Sequence, residues 1–249
     1  MSIPRVTSIP RVTSLVGIPV AFAAILALHP MISGYEGLRT VTTRFQLVHV
    51  AMVLAIPILA LTMGRLLDGL PGRAATVARR ALVPFVLLYV PYVAFEGIAL
   101  GVLGQELNGL TAAQRDAVAP GLVENFARNP IMGEPGLFWA LGSAAWLAAV
   151  GAAVVAFRRA GAPIALQVAV AATALIAAHA PPLAPIGWLS FAAAGWIVLR
   201  SPHPSRRLSP ATSTVRWRGV RPGAGAGAEP AAKAGRRGRP AHGSADLPR

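Results

Sequence analysis

The sequence contains no cysteine. That excludes disulfides, thiol catalysis, Cys-ligated zinc and iron–sulfur clusters together. It says nothing of compartment, because a chain without thiols suits either redox environment. Charge is also scarce. Asp, Glu, Lys and Arg make up 13% of the 249 residues, against about 25% in a typical globular chain. Catalytic signatures are missing too. There is no GxSxG, no Walker A loop and no GxGxxG in a strand–helix context, so nucleophile-elbow hydrolases and nucleotide motors have no support. No residue pattern marks an enzyme.

What is present is apolar. Hydrophobic residues make up 55% of the chain, and the mean hydropathy is +0.58. Such a composition excludes a soluble enzyme and, with its long apolar runs, a mainly disordered protein. The positive charge is uneven. Of a net charge of +14, the stretch from Arg200 to Arg249 holds eleven basic and two acidic residues.

Six apolar segments are legible: Leu15 to about Ile32, Phe45 to Gly64, Ala81 to Gly104, Gly136 to Phe157, Ala162 to Ala180, and Leu183 to Leu199. Each has roughly the 17–24 residues that cross ~30 Å of hydrocarbon as a helix. Backbone groups in lipid must pair within their own segment, and no alternating β-barrel strands are seen. The expected fold is therefore all-α: an integral membrane bundle of six transmembrane helices over residues 15–200. A flexible segment (1–14) precedes it and a disordered basic tail (201–249) follows. Thr13 or Ser14 is placed to cap the first helix. Arg5 and Arg11 before an apolar stretch also fit a signal peptide, but the stretch is long for one, and a retained helix is expected.

Arg5 and Arg11, then Arg65, Arg73, Arg79 and Arg80, then Arg158 and Arg159, then the tail all fall on connections of one parity. The positive-inside rule places both termini in the cytoplasm of a plasma-membrane protein. The other parity carries the longest loop, 105–135. In it Thr111 and Gln114 have capping-box spacing for a short helix ending near Pro120. A helical lid and a simple connector are both open readings there. Trp139, Trp188 and Tyr35, near segment ends, fit an interfacial aromatic belt, whereas Trp146 and Trp196 do not.

At the termini, Ser2–Thr7 is repeated as Ser8–Thr13. Six residues with a proline cannot pack as a unit, so a flexible tail or an early start site explains the repeat better. The tail is rich in Pro, Gly, Ala and Arg, the composition of a disordered segment. Its basic residues suit anionic lipid headgroups, at about 1 kcal/mol each. Gly235-Arg236-Arg237-Gly238-Arg239-Pro240 resembles the core of an AT-hook, which inserts Arg-Gly-Arg into the minor groove of DNA. Lipid contact or bare composition is preferred to nucleic-acid binding, because charge runs are usually solvated or surface-bound.

Ionisable residues within membrane segments are costly, and each is a functional candidate. His29 and His179 lie near the ends of the first and fifth segments. His49 lies five residues past Arg44, roughly 7 Å deep, and Glu96 lies eight residues before Gly104, roughly 12 Å deep. The alternation of helices puts all four in the outer half of the bilayer. Tyr89, Tyr92 and Glu96 share one helix face, as do Gln46 and His49. Pro91 loosens the ladder beside Glu96. Three readings stay open for this pocket. Neutral imidazoles with a carboxylate suit a metal or haem, although no tight ligand spacing such as HExxH is present. His and Glu in a polar cavity suit a proton or solute pathway, with Tyr92 as a further relay group. Polar pairs also simply pin helices together.

The pattern His29-Pro30, Tyr35-Glu36-Gly37, His49 and Glu96-Gly97 resembles uncharacterised multi-pass integral membrane proteins of high-GC Gram-positive bacteria, over residues 15–200. The resemblance implies a location and no activity. The functional expectation is proton-coupled small-solute transport through the outer pocket. The alternatives are a metal- or haem-binding membrane protein, or a scaffold whose tail binds anionic lipid or a partner.

Overall fold

The structure is a computed structural model that describes residues 12–179 and 181–200. The N-terminal repeat up to Arg11, the basic tail and its AT-hook-like element lie outside the described residues, whereas Val12–Ser14, expected as the end of a flexible segment, are helical. The secondary structure of the described residues is all-helical, joined by turns and coil, without a strand.

Eight helices are present among them. α1 spans Thr13–Ala27 and begins with a π-wound turn. The caps expected at Thr13 or Ser14 are not found, because the helical backbone is already established at Val12. α2 is Gly34–Arg39 and α3 is Thr42–Leu66. α4 runs from Arg73 to Asn108 and absorbs both Pro84 and Pro91. It starts well before the expected Ala81, since Gly72 at φ 97° turns the chain and Arg73–Arg80 is helix rather than loop. α5 is Ala112–Ala127, α6 Leu137–Arg159, α7 Ile164–Ala178 and α8 Leu183–Arg200.

Four of these are long and apolar enough to cross a membrane: α3 (25 residues), α4 (36), α6 (23) and α8 (18). α1 and α7, from the first and fifth expected segments, stay below span length as helices. Proline explains both. The residue before a proline is pushed out of the α region, and His29 precedes Pro30 while Pro181 and Pro182 follow His179. α7 has already tightened to a 3-10 helix over Thr173–Ala178.

Short connections make consecutive helices antiparallel, and they close into a ring. α1 packs on α3, α3 on α4, α4 most extensively on α6, α6 on α7, α7 on α8, and α8 back on α1. Leu59, Met63, Phe85, Trp146 and Phe191 fill the interior. Leu47, Leu54 and Leu61 recur every seventh residue on α3 and stand 64%, 61% and 68% exposed. A stripe of that kind costs heavily in water and nothing in lipid.

Small residues set the close contacts. A Cβ at Gly142 would meet the Tyr89 ring at 2.9 Å, which is why α4 and α6 approach so closely. Gly151, on the same helix, faces open space. Trp146 is fully buried and donates to the Thr173 carbonyl at 2.9 Å, where α7 changes winding. Trp146→Phe is expected to cost ~1–3 kcal/mol in a detergent melt, because that carbonyl loses its donor. Trp188 and Tyr35 are only 2% and 5% exposed, so they are core residues and not belt residues. Each lies on a helix face turned inward: Trp188 against Phe22, and Tyr35 donating to Asn108 Oδ1 at 2.8 Å. Trp196 is exposed and stacks under Arg200, 4.2 Å from its ring centre.

A second, smaller core caps one end of the ring. Tyr35, Leu38, Phe45, Leu100, Leu107, Ala119 and Val123 join α2, α5, the start of α3 and the end of α4. The segment 105–135 is thus a helical cap. Its capping box forms as expected, with Gln114 N donating to Thr111 Oγ1 at 3.4 Å and Thr111 N to Gln114 Oε1 at 3.2 Å. The helix does not stop near Pro120 but continues to Ala127. Pro120 removes only the partner of the Asp116 carbonyl, and both residues are exposed, so water serves in its place.

Candidate metal centre

Four polar side chains from four elements meet beneath the cap. His29 stands on the coil that follows α1. His49 lies two turns into α3. Glu96 lies in α4, and His179 just beyond α7. Their local backbones are unusual where they need to be. α4 is π-wound over Ala94–Ala99, immediately after Pro91. Pro91 has no N–H to give and its ring crowds the preceding turn, and the wider winding re-aims Glu96. Such single π turns favour functional sites. His179 adopts φ 63° and ψ −42°. This is close to the strained γ-turn, a conformation that persists where surrounding packing imposes it.

The geometry converges on ligand atoms. His49 Nε2 lies 3.4 Å from His29 Nε2 and 3.3 Å from His179 Nε2. Glu96 Oε2 lies 3.4 Å from His179 Nε2 and 4.0 Å from His49 Nε2. The three imidazoles offer ligand atoms all within 4.8 Å of one another. His49 and His179 are buried, and the Glu96 side chain is 18% exposed.

One ring is oriented by its far nitrogen. His49 Nδ1 lies 2.8 Å from the Phe45 carbonyl oxygen, four residues back on the same helix. A carbonyl accepts only, so Nδ1 carries the proton and Nε2 presents a lone pair to the centre. Metal-binding histidines are held in this way. Aromatic rings wall the site. Phe45 lies against His49 and His29 at 4.2 and 5.7 Å, and Tyr92 against His179 at 5.5 Å. Gly97 is what admits His49: a Cβ there would stand 1.8 Å from the imidazole Cγ.

All four residues singled out from the sequence are thus brought together, with Tyr92 beside them. Tyr92 is fully buried, and its hydroxyl donates to Glu134 Oε2 at 3.1 Å. Glu134 was legible only as part of the Glu134-Pro135 turn. Nothing in its spacing ties it to the site, because a hydrogen bond across 42 positions has no local signature. Gly97 had a signal that went unread: it neighbours Glu96, and Gly97, Gly101 and Gly104 form one stripe facing His49, Gln46 and Thr42.

The chain matches no family model, no curated protein and no solved structure.

The donor set speaks for itself chemically. Two ligands on one tetrahedral ion, each at ~2.0–2.1 Å, stand about 3.3–3.4 Å apart. The adjacent Nε2 pairs and the His179–Glu96 pair have that separation. Three neutral imidazoles and a carboxylate suit zinc or another borderline first-row ion. Haem fits poorly. A porphyrin fills the plane around its iron, and a third imidazole with a carboxylate converging on the same point would occupy that plane.

Proposed function

We propose that this protein is a multi-pass plasma-membrane metalloprotein that holds one zinc-class ion near the outer leaflet. His29, His49 and His179 supply nitrogen ligands and Glu96 an oxygen. The convergence of three Nε2 atoms on one point carries this reading. Neutral imidazoles bridge one another by N–H···N hydrogen bonds at this spacing, but His49 Nε2 has one lone pair for two neighbours, whereas a shared cation engages all three rings at once.

The six-span topology belongs to the same proposal. α1 with the coil to Ile32 and α7 with His179 complete the two remaining crossings; Pro30 and His179 are buried at their non-helical ends, while Leu28 and Met31 are exposed. Irregular backbone is tolerated at membrane depth where protein buries it. The arginine pattern supports cytoplasmic termini and an outward-facing cap. The basic composition of the tail suits the anionic lipid headgroups of the inner leaflet. The resemblance to multi-pass membrane proteins of high-GC Gram-positive bacteria accords with that placement. Solute transport through the same polar cluster is the second reading; the cavity beside His179, walled by Tyr89, Met52 and Trp188, measures about 20 Å³, room for about one water.

Elemental analysis of detergent-purified protein is expected to find about one such ion per chain. Removing it with a chelator should lower the melting temperature, and restoring it should recover ~2.7 kcal/mol at a hundredfold excess over the dissociation constant. A chain that neither carries metal nor takes up Zn²⁺ or Co²⁺ after chelation would refute the proposal.

A further inference from the structure

An ion reaching this centre has two faces to choose from. His49 and His179 are buried, so arrival is confined to the sides where His29 is half-buried and where Glu96 is partly exposed. The two sides carry opposite charge. On the His29 side stands exposed Arg44, next in the chain to Phe45, whose ring lies 5.7 Å from His29. Its positive charge repels a cation. On the Glu96 side stands Glu134, whose carboxylate accepts from Tyr92, one turn before Glu96 on the same helix.

Glu134 is held in place rather than left to wander. Tyr92 donates to its Oε2 at 3.1 Å, and its own N–H donates to the Ala127 carbonyl at 3.0 Å. The loop around it is tightly tied. Asn129 Oδ1 accepts from Ile131 N and Met132 N at 3.0 and 2.9 Å, and Leu137 N and Phe138 N bond back to Pro130 and Ile131. Gly133 and Gly136 let the strands of this loop touch, since a Cβ at either would meet backbone at 2.2 or 2.5 Å. The loop thus presents an exposed carboxylate at the mouth of a buried ligand set, where it also accepts the buried Tyr92 hydroxyl.

We propose that Glu134 is the entry residue for the metal ion, drawing it to the Glu96 side and passing it to Glu96, away from Arg44. This rests on the metal-centre reading and adds its route. Glu134 is outside the ligand set, so it governs how fast the ion arrives and not how tightly it is held.

The test is the rate of Co²⁺ uptake by the metal-free, detergent-purified full chain, followed by the visible bands that cobalt gains on binding. Glu134→Gln keeps the bond from Tyr92, because the amide oxygen still accepts it. Uptake should slow about 10-fold at low salt, the lower end of electrostatic steering effects. Glu134→Lys should slow it further. Equilibrium stoichiometry and affinity should stay at wild-type values in Glu134→Gln. Salt should slow the wild type toward the variant, because screening removes steering but not a structural defect. Glu124→Gln, at an exposed pair with Arg128, removes the same formal charge and should leave the rate unchanged. Wild-type uptake with Glu134→Gln and Glu134→Lys equally fast would overturn the entry role alone. A wild type that takes up no cobalt or zinc would overturn the metal centre with it.

Discussion

The proposed metal centre is expected to be lost more completely in His49→Ala than in any other single variant. His49 is the hub: its Nε2 lies 3.4, 3.3 and 4.0 Å from the ligand atoms of His29, His179 and Glu96. It is also the ligand whose tautomer is set, by the Phe45 carbonyl. Apparent binding energies of structural zinc run at ~10–16 kcal/mol, so one ligand of four stands for about 3–4 kcal/mol. That is a loss of roughly 100- to 1000-fold in affinity, readable by competition against a chromophoric chelator. The variant carries its own control for folding. Chelation should lower the melting temperature of the wild type and leave that of His49→Ala where it was. A full equivalent of tightly held metal in the variant would sink the tri-histidine assignment.

Gly97→Ala is expected to give the second largest effect, without touching a ligand. The new methyl would stand 1.8 to 2.3 Å from three atoms of the His49 side chain, far inside contact distance. Either the imidazole rotates away from the centre or α3 and α4 separate. Overpacking of this kind costs ~1–3 kcal/mol of stability. Displacing an oriented ligand costs ~10–100-fold in metal affinity. Gly64→Ala on α3 faces open space and should be neutral in both assays. Metal affinity in Gly97→Ala equal to the wild type would show that His49 does not need the position the structure gives it.

Much of the architecture was legible because a bilayer leaves a chain few options. Long apolar runs must be helical, since lipid offers backbone groups no partner. Capping at Thr111 was legible for the same local reason, as side chain and backbone lie three residues apart. Lengths were less so. Pro30 and the Pro181-Pro182 pair shorten α1 and α7, while Pro84, Pro91 and Pro120 lie inside helices without ending them. A proline's effect depends on whether neighbours or water serve the carbonyl it orphans, and that is a property of the packed molecule.

By itself, the sequence determined the helical class and which polar residues share one end of the bundle. Both follow from period and alternation: a helix advances a fixed rise per residue, and short connections reverse its direction. Only the tertiary structure decided that His29, His49, His179 and Glu96 point at one another. Depth along a helix is set by residue number, but azimuth is set by which neighbour each face packs against. Here that choice hangs on Gly97 admitting an imidazole, a π turn re-aiming Glu96, and two helices that end early enough to turn their last histidines inward. Glu134 belongs to the same category. It reaches the site across a folded loop, at a distance that no local pattern encodes.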